Sequence, residues 1–221
     1  MKDRVEERKP LRRIALVFGA LFLVVALTYF FADRQVAELL RPHFYGAPFF
    51  IWLTYIVDPL APAASIIATI VAVRALSRKS LTPTESALLR LCCAILIAGV
   101  LTFELKEIFG RTWPETWVNN NPSYFGNGIY GFFPFHGGQG YRAFPSGHTT
   151  AISAFAGALW FLWPRLRWLG VALAIAVSVG LLGADYHWLS DIMAGAIVGG
   201  STGIVAARIG VAKTPSEKIS L

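Results

Sequence analysis

The chain has 221 residues, 55% of them hydrophobic and only 15% charged, and a formal net charge of +7. So apolar a composition excludes an ordinary soluble domain and makes the bilayer the expected solvent of one membrane domain over 1–221. The basic residues sit in short clusters between apolar runs rather than along a polar stripe, which argues against a nucleic-acid partner. Cys92 and Cys93, adjacent in an apolar run, have the spacing of neither a disulfide framework nor a metal cage.

In chain order, a basic stretch (Lys2, Arg4, Arg8, Lys9, Arg12, Arg13) precedes an apolar segment from Ile14 to Phe31. That segment is longer than a cleavable signal core and no small-x-small site follows it, so it is expected as a retained first transmembrane helix. An aromatic-rich stretch at 44–56 reads as an interfacial helix leading into a second span at about 57–76, and a third follows at about 87–109. Residues 110–147 form a long connection dense in Gly, Pro, Asn and aromatics, and ordered loops of this length tend to be functional. Three further spans are expected at about 148–164, 166–184 and 188–211. The expected fold is therefore all-α, a polytopic membrane protein built as a six-transmembrane-helix bundle. Nothing in the sequence fixes an oligomeric state.

Six helices place both termini on one side, and the Lys and Arg count tests this. Fifteen fall on that side: the six named above, Arg74, Arg78, Lys79, Arg90, Arg165, Arg167, Arg208, Lys213 and Lys218. Five fall opposite: Arg34, Arg41, Lys106, Arg111 and Arg142. Both termini are expected in the cytoplasm, with the long loop on the outer face of the cell membrane.

The outer side collects ionisable residues at three helix ends, which in a membrane protein point to function. Pro145-Ser146-Gly147-His148 opens the fourth helix, where glycine permits close backbone approach and free N–H groups point at an anion, so Ser146 and Gly147 read as a phosphate cradle. His148 is placed to protonate a leaving oxygen. His187 and Asp191, four apart, share a helix face, so the carboxylate can hold one ring nitrogen protonated while the other attacks. Lys106 supplies charge for a phosphoryl group. Gly195, Gly199 and Gly203 read as a close helix-packing face.

These residues resemble the type 2 phosphatidic acid phosphatases, the lipid phosphate phosphatases related to bacterial acid phosphatases and vanadium haloperoxidases. The family pattern is K-x6-R-P, P-S-G-H and S-R-x5-H-x3-D; this chain has KEIFGRTWP at 106–114, PSGH at 145–148 and HWLSD at 187–191. The resemblance implies Lys106, Ser146 and Gly147 as phosphate binders, His148 as general acid, His187 as a nucleophile forming a phosphohistidine and Asp191 as its partner, with no metal or other cofactor. Two positions depart from the pattern. Trp113 stands where the first motif has arginine, and Gly180-Leu181 where the third has Ser-Arg. Arg111 and Arg142, near in sequence, are expected to supply the missing phosphate contacts.

The function expected is hydrolysis of a lipid phosphomonoester or pyrophosphate, the lipid being phosphatidate, phosphatidylglycerol phosphate, a polyprenyl pyrophosphate or a phosphorylated glycolipid. The alternatives are a lipid phosphotransferase using the same site and a non-catalytic lipid-binding or transport relative. Retention of Ser146, His148, His187 and Asp191 counts against the last, since a pure binder has no use for a nucleophile and its orienting carboxylate.

Overall fold

The computed structural model describes residues 2–77, 80–117 and 119–209; the regular structure among them is helical, and the connection between the helices ending at Phe109 and starting at Gly147 is mostly irregular. The helices are α1 (Lys2–Phe31), α2 (Asp33–Phe44), α3 (Pro48–Thr54), α4 (Leu60–Ser77), α5 (Pro83–Phe109), the single turn α6 (Tyr124–Asn127), α7 (Gly147–Leu162), α8 (Arg167–Gly183) and α9 (Leu189–Arg208). Their boundaries follow local chemistry. Thr82 and Glu85 form a reciprocal capping box at the start of α5, with Pro83 in the first turn. Gly110 ends the same helix in a left-handed conformation at φ +58°, where an added Cβ would lie 1.8 Å from the Phe133 carbonyl oxygen.

Among the described residues, five segments are long and apolar enough to cross a membrane: Arg12–Phe31, Pro48–Ser77, Pro83–Phe109, Pro164–Gly183 and Leu189–Arg208. The remaining expected span, 148–164, is α7, which has only 16 residues. At about 1.5 Å per residue it is shorter than a hydrocarbon core roughly 30 Å thick, yet it runs the length of α9, from Ser146 beside Asp191 at one end to Ala158 beside Ala206 and Ala207 at the other, and so passes through the bundle. It packs against α5, α8 and α9. The closest of these contacts is with α9, because Gly199 and Gly203 let the two backbones meet. A Cβ at Gly199 would lie 2.0 Å from the Thr150 carbonyl oxygen and one at Gly203 2.3 Å from that of Ala154. Around this pair Val57, Ile152, Val177, Leu181 and Ile192 form an apolar cluster. Phe22, Phe30, Trp168 and Val205 point outward, a surface that suits lipid rather than water.

The structure adds an element the sequence reading passed over. Residues 33–44 form α2, which has acidic Asp33 in its first turn and Arg41 in its last. The expected interfacial stretch at 44–56 is divided between the end of α2 and α3, and a 3-10 turn, Tyr55–Val57, joins α3 to α4. The expected end of the last span at 211 lies outside the described residues, as do Arg78, Lys79, Lys213 and Lys218 of the charge count.

Candidate active site

Six helix ends converge on one end of the bundle. The C-termini of α1, α5 and α8 and the N-termini of α4, α7 and α9 all bring residues to it, and 110–146 closes over it. There a cavity of about 600 Å³ is lined by Lys106, Gly147, His148 and His187, together with Asp58, Trp113, Trp117, Asn121, Gln139 and Tyr186. Residues from all three sequence motifs therefore share one cavity.

His187 sits in the short turn between α8 and α9, and α9 holds Asp191 one helical turn further on. His187 Nδ1 lies 3.3 Å from Asp191 Oδ2, and the same oxygen accepts from the Trp188 backbone N–H at 3.1 Å. With Nδ1–H donating to the carboxylate, Nε2 is left to the cavity. Burial pushes the His187 imidazole down to about 4, so it is neutral near neutral pH. On the other wall, His148 is the second residue of α7, half-buried and on the cavity.

Lys106, in the last turn of α5, donates to the Arg142 carbonyl and holds its ammonium 5.5 Å from the Trp113 ring centroid. Among the described lining residues it is the sole Lys or Arg. Gly147 lines the cavity, and a Cβ there would meet Lys106 Cε at 3.8 Å and Thr102 Cγ2 at 3.9 Å, ordinary contacts. Glycine at 147 is thus required by no protein neighbour, and its bare backbone leaves that space to a ligand.

Three expected phosphate binders stand elsewhere. Ser146 is fully buried and caps α7, its hydroxyl accepting from the Thr149 backbone N–H at 3.3 Å. Its N–H donates to the Asp191 carbonyl at 3.1 Å, so it ties α7 to α9. Arg142 pairs with Glu107 and lies over the Phe103 ring at 4.5 Å, off the cavity wall. Arg111 is 0% exposed and also off the wall. Its guanidinium donates to Asp33 at 2.6 Å, to Ser190 Oγ at 2.7 Å and to Asp191. The rings of Tyr29, Phe132, Tyr130 and Trp188 surround it at 5.0–5.4 Å. Sequence proximity to Lys106 misleads here because the left-handed turn at Gly110 sends Arg111 behind α9 rather than toward the cavity.

The two departures from the family pattern also find their places. Trp113 lines the cavity against His187, and its Nε1–H donates to the Gln139 carbonyl at 2.9 Å. Leu181 is 0% exposed, packed in an apolar cluster with Val57, Ile152, Val177 and Ile192. Asp58 on the cavity and Asp33 behind it are site residues that motif reasoning missed. For Asp58 the available signal was an acidic residue opening an apolar span.

A helical bundle with a histidine–carboxylate pair, a second histidine and a lysine around a cavity at one end marks a multi-pass membrane protein with one ionisable site. The family model described as PAP2 superfamily matches residues 87–215, and the chain belongs to that superfamily. It is 34% identical over 121 residues to a lipid A 1-phosphatase of Rhizobium etli, covering 53% of this chain and 49% of the relative. It is 28% identical over 151 residues to a probable lipid phosphate phosphatase 4 of Arabidopsis thaliana, covering 55% and 47%. The chain thus spans about half the length of the curated relatives it matches. Its fold is similar to that of a transmembrane PAP2-type phosphatidylglycerolphosphate phosphatase from Bacillus subtilis. There the TM-score is 0.54 at 16% identity, over 87% of this chain and 92% of that one.

Proposed function

We propose that this protein is a membrane lipid phosphate phosphatase that works through a phosphohistidine at His187. The observation that supports this most is the His187–Asp191 pair facing His148 and Lys106 across one cavity at a membrane-helix end. The family and the names of the relatives agree with the reaction class, and the substrate is a phosphomonoester or pyrophosphate of a lipid.

In this reading Asp191 holds Nδ1–H and His187 Nε2 attacks phosphorus. The bond from phosphorus to the lipid oxygen breaks, and the leaving oxygen takes the proton of His148. His148, now neutral, accepts a proton from water as the water oxygen attacks phosphorus. The P–N bond breaks, phosphate leaves, and both histidines return to their starting states. Lys106 and the free N–H groups opening α7 hold the non-bridging oxygens.

The site faces outward and both termini are cytoplasmic, a reading supported by the fifteen-to-five partition of Lys and Arg. Labelling of Asn120→Cys by an impermeant maleimide should occur from outside; labelling from the cytoplasm alone would overturn the orientation. The activity is tested with purified protein in detergent, with EDTA, against phosphatidate, phosphatidylglycerol phosphate, a polyprenyl pyrophosphate and a phosphorylated glycolipid. Phosphate release from at least one is expected. Transfer to an added acceptor lipid in place of release would instead mark a phosphotransferase.

A further inference from the structure

Behind the His187–Asp191 pair lies a buried chain of charge. Asp191 accepts from His187 on one oxygen and from Arg111 on the other. Arg111 reaches Asp33, whose two oxygens also take the Ser190 backbone N–H at 2.8 Å and the Ser190 hydroxyl at 2.6 Å. Asp33, Arg111 and Asp191 are each at most 1% exposed. Asp33 comes from α2, outside the segment the family model matches, and Arg111 falls in the variable stretch of the first motif, between Lys106 and Trp113.

From this arrangement we propose that Asp33 and Arg111 are positioning residues for Asp191, and that the charge of Asp33 sets how readily His187 takes on positive charge when it attacks. The inference rests on His187 being the nucleophile. These groups are buried, so their summed charge matters. With His187 neutral, two carboxylates and one guanidinium leave the group one negative charge; when Nε2 bonds phosphorus the ring becomes cationic and the group neutral. Had Arg111 only Asp191 as partner, the same step would take the group from neutral to positive, which burial disfavours. Asp33 restores the negative charge that Arg111 would otherwise cancel, while Arg111 and Ser190 keep Asp33 hydrogen-bonded in place. One guanidinium nitrogen holds Asp191 Oδ1 while the Trp188 backbone N–H holds Oδ2, and together they orient the carboxylate that fixes the His187 tautomer.

The other charged groups facing His187 are Lys106 from α5, His148 from α7, Asp58 across the cavity and Asp185 in the preceding turn, which is turned toward Arg41 at 3.1 Å. Lys106 and His148 oppose positive charge on His187. The negative charge behind the ring is therefore what offsets them.

The test compares full-length wild type, Asp33→Asn, Asp33→Glu, Arg111→Met and the double variant Asp33→Asn/Arg111→Met, each checked for folding by thermal unfolding in detergent. kcat/KM against pH is read with a lipid phosphate the wild type hydrolyses. Asp33→Asn should lower kcat about ten- to thirty-fold and move the acid limb about one unit down, because it removes negative charge behind the ring. Arg111→Met should move the limb upward, and the double variant should bring it back toward wild type. Asp33→Glu should keep the limb in place at reduced kcat. If Asp33→Asn loses rate with no movement of the limb, or if both Asp33 variants fail to fold, the residue is only structural and the proposal is overturned. If His187→Ala retains full activity, it is the nucleophile assignment that fails instead.

Discussion

Trp113 lies against His187 with ring centroids 5.0 Å apart and planes inclined at 45°. Where the family pattern places a phosphate-binding arginine, this chain packs an indole on the proposed nucleophile. The ring shields His187 from water and leaves Lys106 as the sole Lys or Arg among the described residues of the cavity wall. Trp113→Arg should add a second anion contact and lower the inhibition constant for inorganic phosphate about tenfold. Leu181→Arg should instead destabilise the fold, since that position is buried among Val57, Ile152, Val177 and Ile192. Inhibition by phosphate and thermal unfolding of the two variants separate these outcomes.

Lys106 and Arg142 should differ sharply. Lys106→Met removes the sole Lys or Arg among the described cavity-lining residues and should lower kcat/KM at least a hundredfold, about 3 kcal/mol of transition-state stabilisation. Arg142→Ala breaks a partly exposed pair with Glu107, the two side chains 17% and 35% exposed, and should change kcat/KM less than about fivefold. Equal losses in both would place Arg142 on the substrate after all.

The pH profile should follow from the two histidines. His187 must be neutral to attack, and burial holds its imidazole down to about 4, so kcat/KM should persist to near pH 4 before falling. The alkaline limb belongs to His148, which must hold a proton to donate. With an alkyl leaving group that limb should be plain, whereas with nitrophenyl phosphate it should flatten. His148→Ala should likewise cost far more on the alkyl substrate, and an equal loss on both would argue against His148 as the acid.

Much of this was legible in the sequence because the site is made from helix ends. Each span has its own apolar run, and Pro-Ser-Gly-His and His-x3-Asp mark where two of them start. Gly199 and Gly203 could likewise be read as a packing face from their spacing alone. The partner of Arg111 could not be read, because Asp33 is 78 positions away and meets it only in the folded bundle. α2 is hard to read from sequence although Val36, Leu39 and Leu40 have helical spacing, since its charged residues outweigh that short apolar stripe. Ser146 shows a different limit: the residue that opens a helix can serve as its cap, and no motif says which use the hydroxyl has.

The glycine face can be tested by stability alone. Gly199→Ala should cost about 1–3 kcal/mol, because its Cβ would collide with the Thr150 carbonyl. Gly200→Ala, one residue on, meets nothing within 4 Å and should be neutral or slightly stabilising in the same helix. Thermal midpoints in detergent measure both, and similar midpoints for the two variants would contradict the close α7–α9 contact.

The most direct test of the account is to trap the phosphoenzyme. Protein quenched in alkali during turnover of a radiolabelled lipid phosphate should retain label that is base-stable, acid-labile and located at His187. His187→Ala should retain none and release no phosphate. Undiminished phosphate release by His187→Ala, or label on another residue, would contradict the central claim.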